Sequence, residues 1–265
     1  MHRLKFIIPN ACTALSMLLG LASINTSIDG NYELAAWMIL WAVLLDKLDG
    51  AAARLLDACS DFGASFDSYA DFVSFGIAPA ALFVFALRDP NIAAGLVHPK
   101  WMMAAAGVYA VAVAVRLARF DTSNPPMGNL VFYGIPTTVM GGVLSTGFLT
   151  FLKFDLSPEL IAPMPFVLLI CAFAMISNIM LPKMQLRYGA FLNALMLVNV
   201  IFAYALGVSA VFHSAGSSYN LYPEIMFFQG VFYPSIGVIY YWFKPPKMEQ
   251  EDTIEFTEEE AQVVT

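Results

Sequence analysis

The chain has 265 residues, 59% of them hydrophobic and only 12% charged, with a formal net charge of −7. A soluble domain carries roughly 25% charged residues, and half that content cannot cover a 29 kDa globule, so membrane residence is expected. No basic stretch is present to neutralise phosphates, which excludes nucleic-acid binding as a main role.

The charge is local. Seven of the 20 acids lie between Met248 and Thr265, without a Lys or Arg, leaving 13 acids against 13 bases elsewhere. A like-charge run with no apolar period reads as solvated and disordered. Residues 1–243 are therefore expected to form an integral membrane domain, and residues 244–265 an acidic, disordered cytoplasmic tail.

Eight apolar stretches follow one another near 11–28, 34–56, 64–88, 101–120, 131–152, 161–181, 190–213 and 225–243. Each is close to the roughly 20 residues that cross a hydrocarbon core of about 30 Å. The first follows His2, Arg3 and Lys5 and has the look of a signal peptide. Seven further spans, and Pro9-Asn10 where a short interfacial helix would hand over, favour an uncleaved helix instead. Gly141, Gly142 and Gly147 in the fifth stretch would let helices pack closely, within the bundle or across a dimer. Trp37, Trp41, Trp101 and Trp242 sit in or near helix ends, as interface residues do. The last two stretches rest on hydropathy alone.

With the N-terminus inside, ten of the 13 Lys and Arg residues fall at cytoplasmic ends, and only Arg88, Lys100 and Lys153 fall outside. This bias puts both termini in the cytoplasm. Cys12, Cys59 and Cys171 have no paired spacing and suggest neither a disulfide framework nor a zinc site.

Six of the 13 acids outside the tail crowd into 26 residues: Asp46, Asp49, Asp57, Asp61, Asp67 and Asp71. A charge at mid-membrane costs roughly 2.5–3.5 kcal/mol even on lenient scales, so these are not passive packing. Asp46 and Asp49 are three apart and Asp67 and Asp71 four apart, each pair on one helical face. The short segment between them lets the two helices meet at the cytoplasmic side, so both pairs can converge on one cavity. Four facing carboxylates require cations between them, and an all-oxygen set suits two Mg²⁺ or Mn²⁺ ions. Such a centre beside an arginine is chemistry for a diphosphate. Arg54 lies two helical turns beyond Asp46, on the same face, and Gly50 and Gly63 allow close approach of a ligand to the backbone. Asp57 and Asp61 read as a solvated turn, with a contact to a base as the alternative.

The pattern Asp46-x2-Asp49-Gly50-x2-Ala53-Arg54-x8-Gly63-x3-Asp67-x3-Asp71 resembles, at every fixed position, the signature of the CDP-alcohol phosphotransferases. The resemblance implies an all-α polytopic bundle with a six-helix core, here with an extra helix pair, and usually a homodimer. It implies transfer of a substituted phosphoryl group from a CDP-linked donor to an alcohol, with release of CMP. Carried over position by position, Asp46, Asp49, Asp67 and Asp71 are the metal ligands and Asp71 is also the general base. Asp49, Gly50, Ala53, Arg54 and Gly63 line the CDP pocket.

The segments Phe66 to Ala80 and Arg116 to Asp121 are similar to the phosphatidylserine synthase branch of that family, with departures at Tyr69 and Asp121. Phe132 to Thr138, and Asn10 with Thr13, also resemble stretches found there. That likeness implies CDP-diacylglycerol as donor, L-serine as acceptor, and a site at the cytoplasmic face of the cell (inner) membrane among membrane lipids. Arg116 and Arg119 have two readings, as anchors at a helix end or as ligands of the acceptor carboxylate or a lipid phosphate. Lys183 and Arg187 read as anchors. Glycerol phosphate, inositol phosphate and choline are alternative acceptors. From another class, a cation transporter would spread its acids through the membrane depth, whereas here they cluster at one end of two helices.

Overall fold

The computed structural model describes residues 4–122, 131–182 and 221–231. It is a polytopic helical bundle. A 3₁₀ turn (Leu4–Phe6) leads directly into α1 (Ile7–Ile28), followed by α2 (Tyr32–Leu55). Next comes one 26-residue rod, Asp61–Ala86, made of α3 (Asp61–Asp71), a π-helical turn (Phe72–Ile77) and α4 (Ala78–Ala86). The short α5 (Pro90–Ala93) precedes the long α6 (Pro99–Thr122). Then follow β1 (Val131–Tyr133), α7 (Thr137–Lys153), α8 (Pro158–Ile161), α9 (Met164–Ile176) and β2 (Met180–Pro182). Residues 222–231 are helical. Among the described residues, four helical rods, Ile7–Ile28, Asp61–Ala86, Pro99–Arg119 and Pro158–Ile176, are long and apolar enough to cross a membrane. The 24-residue α2 has the length too, at about 1.5 Å per residue, and carries the site's charges in its last turns.

The packing inverts the soluble pattern. In α1 the buried residues are Pro9, Thr13, Ser16, Gly20, Ser23 and Ser27, spaced alternately four and three apart, while Leu15, Leu18 and Leu21 are exposed. Lipid tails are as apolar as leucine, so helices in a bilayer associate through small residues that let backbones approach and hydroxyls bond across. Ser16 and Ser23 donate to the carbonyls of Ala42 and Ala35 on α2, at 3.2 and 2.8 Å. This seam fixes α1 against α2, and the far side of α2 packs on α7.

Directly after Asp71 the rod passes through its π-turn, which is clamped from two sides. Ser74 donates to the Ser16 carbonyl at 2.9 Å, and the fully buried Tyr109 of α6 donates to the Phe75 carbonyl at 2.8 Å. Such turns widen the helix and leave carbonyls to be satisfied from outside. A Cβ on Gly20 would stand 2.6 Å from Ser74 Oγ and 2.8 Å from Ser74 Cα. Gly20→Ala is therefore expected to destabilise the protein by about 1–3 kcal/mol, read as a lower thermal midpoint in detergent. Gly107→Ala, where a Cβ meets nothing within 4 Å, should leave the midpoint within experimental scatter.

Three expectations from the sequence are corrected. The interfacial helix ahead of Pro9 is a 3₁₀ turn continuous with α1, because proline is tolerated in a helix's first turn. The fifth and sixth spans are shorter than their hydropathy. Residues 131–133 pair antiparallel with 180–182, Val131 opposite Pro182 and Tyr133 opposite Met180. Gly134, at φ +73°, then presses against the Met175 carbonyl, where a Cβ would sit at 2.1 Å. Pro136 starts α7 only after that contact, and Pro163 separates α8 from α9. Trp37 is not an interface residue: it is 6% exposed and stacks on Tyr222 at 5.8 Å. Gly141 and Gly147 serve close packing inside the bundle, against Phe75 and Phe227. The seventh stretch, most of the eighth, and the acidic tail lie outside the described residues.

Candidate active site

The site forms where α2 ends and α3 begins. Asp46, Asp49, Gly50, Ala53 and Arg54 occupy the last turns of α2, which stops after Leu55. Asp57 takes a left-handed conformation (φ +48°) that turns the chain back. Ser60 then caps α3 by accepting from Gly63 N–H at 3.1 Å. Lys5 secures the turn from the α1 side, bonding the Asp57 carbonyl with its carboxylate 3.8 Å away. Gly63 faces α1, where a Cβ would stand 3.5 Å from Asn10 Oδ1.

Asp46, Asp49 and Asp67 each bring a carboxylate oxygen to within 4.8 Å of the other two. Asp71 lies beside this group, close enough to Asp46 for the two carboxylates to interact. Hydroxyls brace the carboxylates. Thr13 of α1 donates to Asp49 at 2.6 Å and Thr137 of α7 donates to Asp71 at 3.1 Å, while Thr138 lies against Asp46. The cluster is thus held by two helices, α1 and α7, besides the two that carry it. Three close carboxylates with only oxygen donors fit a hard divalent cation, since their mutual repulsion is relieved by a charge placed between them.

The cations around the cluster occupy different places. Arg54 is exposed and lies over Gly50, whose Cβ would meet Nη1 at 3.5 Å. Arg116 is buried in α6 and donates from Nη1 to Thr137 Oγ1 at 3.3 Å. Arg119 turns away, donating to the Ile176 carbonyl at 2.7 Å and to Asn178 Oδ1 at 3.0 Å. It therefore satisfies the C-terminal end of α9. Asp57 and Asp61 are exposed at the turn.

Residue reasoning on the sequence did not single out Thr13, Thr137 and Thr138, which entered only within segments resembling a family. Two signals were available. Thr13 belongs to the small-residue seam of α1, and Thr137-Thr138 follow a helix-starting proline, where a buried threonine must find a partner.

The helices and the acidic centre at one end of α2 and α3 define an integral membrane protein built to hold a divalent cation and a phosphorylated ligand. The chain belongs to the CDP-alcohol phosphatidyltransferase family, whose model matches residues 6–213. It is 30% identical over 215 residues to the CDP-diacylglycerol–serine O-phosphatidyltransferase of Helicobacter pylori (strain ATCC 700392 / 26695), covering 78% of this chain and 86% of that one. The Mycobacterium bovis enzyme of the same name is 36% identical over 150 residues, 54% of this chain and 49% of that one. The archaetidylserine synthase of Methanothermobacter thermautotrophicus is 32% identical over 180 residues, 67% and 70% of the two chains.

Proposed function

We propose that this chain transfers the phosphatidyl group of CDP-diacylglycerol to the hydroxyl of L-serine, forming phosphatidylserine and CMP. The observation that carries the reading is the convergence of Asp46, Asp49 and Asp67, with Asp71 beside Asp46 and accepting a hydrogen bond from Thr137. Asp46, Asp49, Asp67 and Asp71 would hold two Mg²⁺ or Mn²⁺ ions. Bound there, the metal supplies charge neutralisation on the phosphoryl oxygens.

The other roles belong to the chain's own residues. Asp49, Gly50, Ala53, Arg54 and Gly63 receive the cytidine diphosphate, with Arg54 exposed at the surface where it can bond a phosphate. Asp71 takes the proton of the serine hydroxyl. The serine oxygen then forms a bond to the phosphorus bearing diacylglycerol, while the bond from that phosphorus to the CMP oxygen breaks and CMP leaves. Thr137 keeps the Asp71 carboxylate oriented through this step. The acyl chains remain in the bilayer beside the apolar outer faces of the helices. The cell (inner) membrane, a cytoplasmic site and a homodimer complete the reading, supported by the distribution of Lys and Arg and by the family likeness.

The test is purified protein with CDP-diacylglycerol and Mn²⁺ or Mg²⁺, assayed for CMP and for the lipid product by mass spectrometry. CMP should appear with L-serine and not with glycerol phosphate, inositol phosphate or choline. No CMP with any of these alcohols would sink the transferase reading, and CMP with another acceptor alone would reassign the substrate.

A further inference from the structure

Arg116 is more than nine-tenths buried, at 9% exposure, yet it forms no ion pair among the described residues. One of its five N–H donors reaches Thr137 Oγ1, and its Nε has no hydrogen-bond partner there. Beyond that hydroxyl it feels the Asp71 carboxylate across Thr137 without pairing with it directly, and a buried guanidinium with open N–H donors is costly unless an anion completes it. The place it occupies is positively polarised by a second element. The 17-residue α7 starts behind Pro136 with no side-chain cap, and its first two residues are the threonines that touch Asp71 and Asp46. The first-turn N–H groups of a helix have no acceptor inside the helix and carry partial positive charge.

We propose that Arg116 and the N-terminal turn of α7 form a carboxylate subsite for the acceptor, so that the enzyme selects a small hydroxy amino acid over a simple alcohol. The inference rests on the transfer reading above, with Asp71 as the base. Thr137 supplies the geometry: its single hydroxyl oxygen bonds Asp71 Oδ2 at 3.1 Å on one side and Arg116 Nη1 at 3.3 Å on the other. Base and cation therefore flank one atom. In serine, two carbons separate the hydroxyl oxygen from the carboxylate, so one small molecule can present its hydroxyl to Asp71 and its carboxylate to Arg116.

A lipid phosphate is the weaker occupant. The diphosphate belongs with the Asp46, Asp49 and Asp67 cluster, where Arg54 lies over Gly50 and near Asp49. Arg116 is separated from that cluster by Asp71 and Thr137. Arg119 does not share the subsite, because the end of α9 already engages its guanidinium.

The test uses the full-length, Mn²⁺-loaded protein with CDP-diacylglycerol and compares L-serine with L-serinamide and ethanolamine. Serinamide keeps the hydroxyl and amine and lacks only the carboxylate. The wild-type protein should prefer serine over serinamide by about 10²–10⁴-fold in kcat/KM, as sites built around a charged or polar group reject analogues that lack it. Arg116→Gln should lower kcat/KM for serine by about 10²-fold or more, leave KM for CDP-diacylglycerol unchanged, and bring the serine-to-serinamide ratio close to one. The wild-type comparison stands even where the variant does not fold. Equal rates with serine and serinamide would overturn the subsite and leave the transfer reading intact. A raised KM for CDP-diacylglycerol in Arg116→Gln, with the serine preference kept, would overturn it in favour of a phosphate contact. Absence of CMP with every alcohol would remove the transfer reading and the subsite together.

Discussion

Asp71→Asn is expected to lower kcat for CMP release by about 10²–10⁴-fold, the range a positioned general base supplies. The substitution keeps the shape of the side chain and removes its ability to take a proton. Asparagine Oδ1 can still accept from Thr137, as Asp71 Oδ2 does at 3.1 Å, so the bridge to Arg116 survives. Asp46, Asp49 and Asp67, whose oxygens lie within 4.8 Å of one another, are untouched and should still bind Mn²⁺ in part, less the contribution of Asp71. KM for CDP-diacylglycerol should change little, because the loss falls on the chemical step. Retention of a tenth or more of the wild-type kcat would remove Asp71 from the role of base. Loss of Mn²⁺ binding together with activity would make it chiefly a metal ligand.

The acidic centre was legible because its logic is local. Asp46, Asp49 and Asp67 sit on two consecutive helices joined by a short turn, so helical periodicity and one reversal suffice to bring them together. The bundle itself was legible for a similar reason, since long apolar runs have few alternatives to transmembrane helices. What the sequence concealed depends on contacts between distant segments. Gly134 reads as an ordinary turn residue until the Met175 carbonyl is found against it, and only then does the late start of α7 make sense. Trp37 looked like an interface residue because hydropathy says nothing of Tyr222, far along the chain, stacking on it. The two arginines of α6 stand three residues apart and were equivalent in sequence. Thr137 and the end of α9 give them different surroundings.

The acidic cluster should also be visible in stability, with a sign opposite to that of most single substitutions. Asp49 is 6% exposed and shares its surroundings with the carboxylates of Asp46 and Asp67. Like charges at such separations in a partly buried site repel by about 1–3 kcal/mol, and without a cation this cost falls on the folded state. Asp49→Asn removes one charge while preserving an acceptor for the Thr13 hydroxyl, now 2.6 Å from Asp49 Oδ2. Arg54 loses a nearby negative charge, but it is exposed, and exposed pairs contribute little. In chelator, Asp49→Asn should therefore melt at a higher temperature than the wild type. Adding Mn²⁺ should reverse the order. A ligand at a hundred times its dissociation constant stabilises the folded state by about 2.7 kcal/mol, which the wild type gains and the variant, short of one ligand, largely forgoes. CMP release by Asp49→Asn should fall below detection in the same preparation. If the chelated variant melts below the chelated wild type, the three carboxylates do not strain the metal-free fold. If Mn²⁺ shifts both proteins equally, Asp49 does not hold the ion.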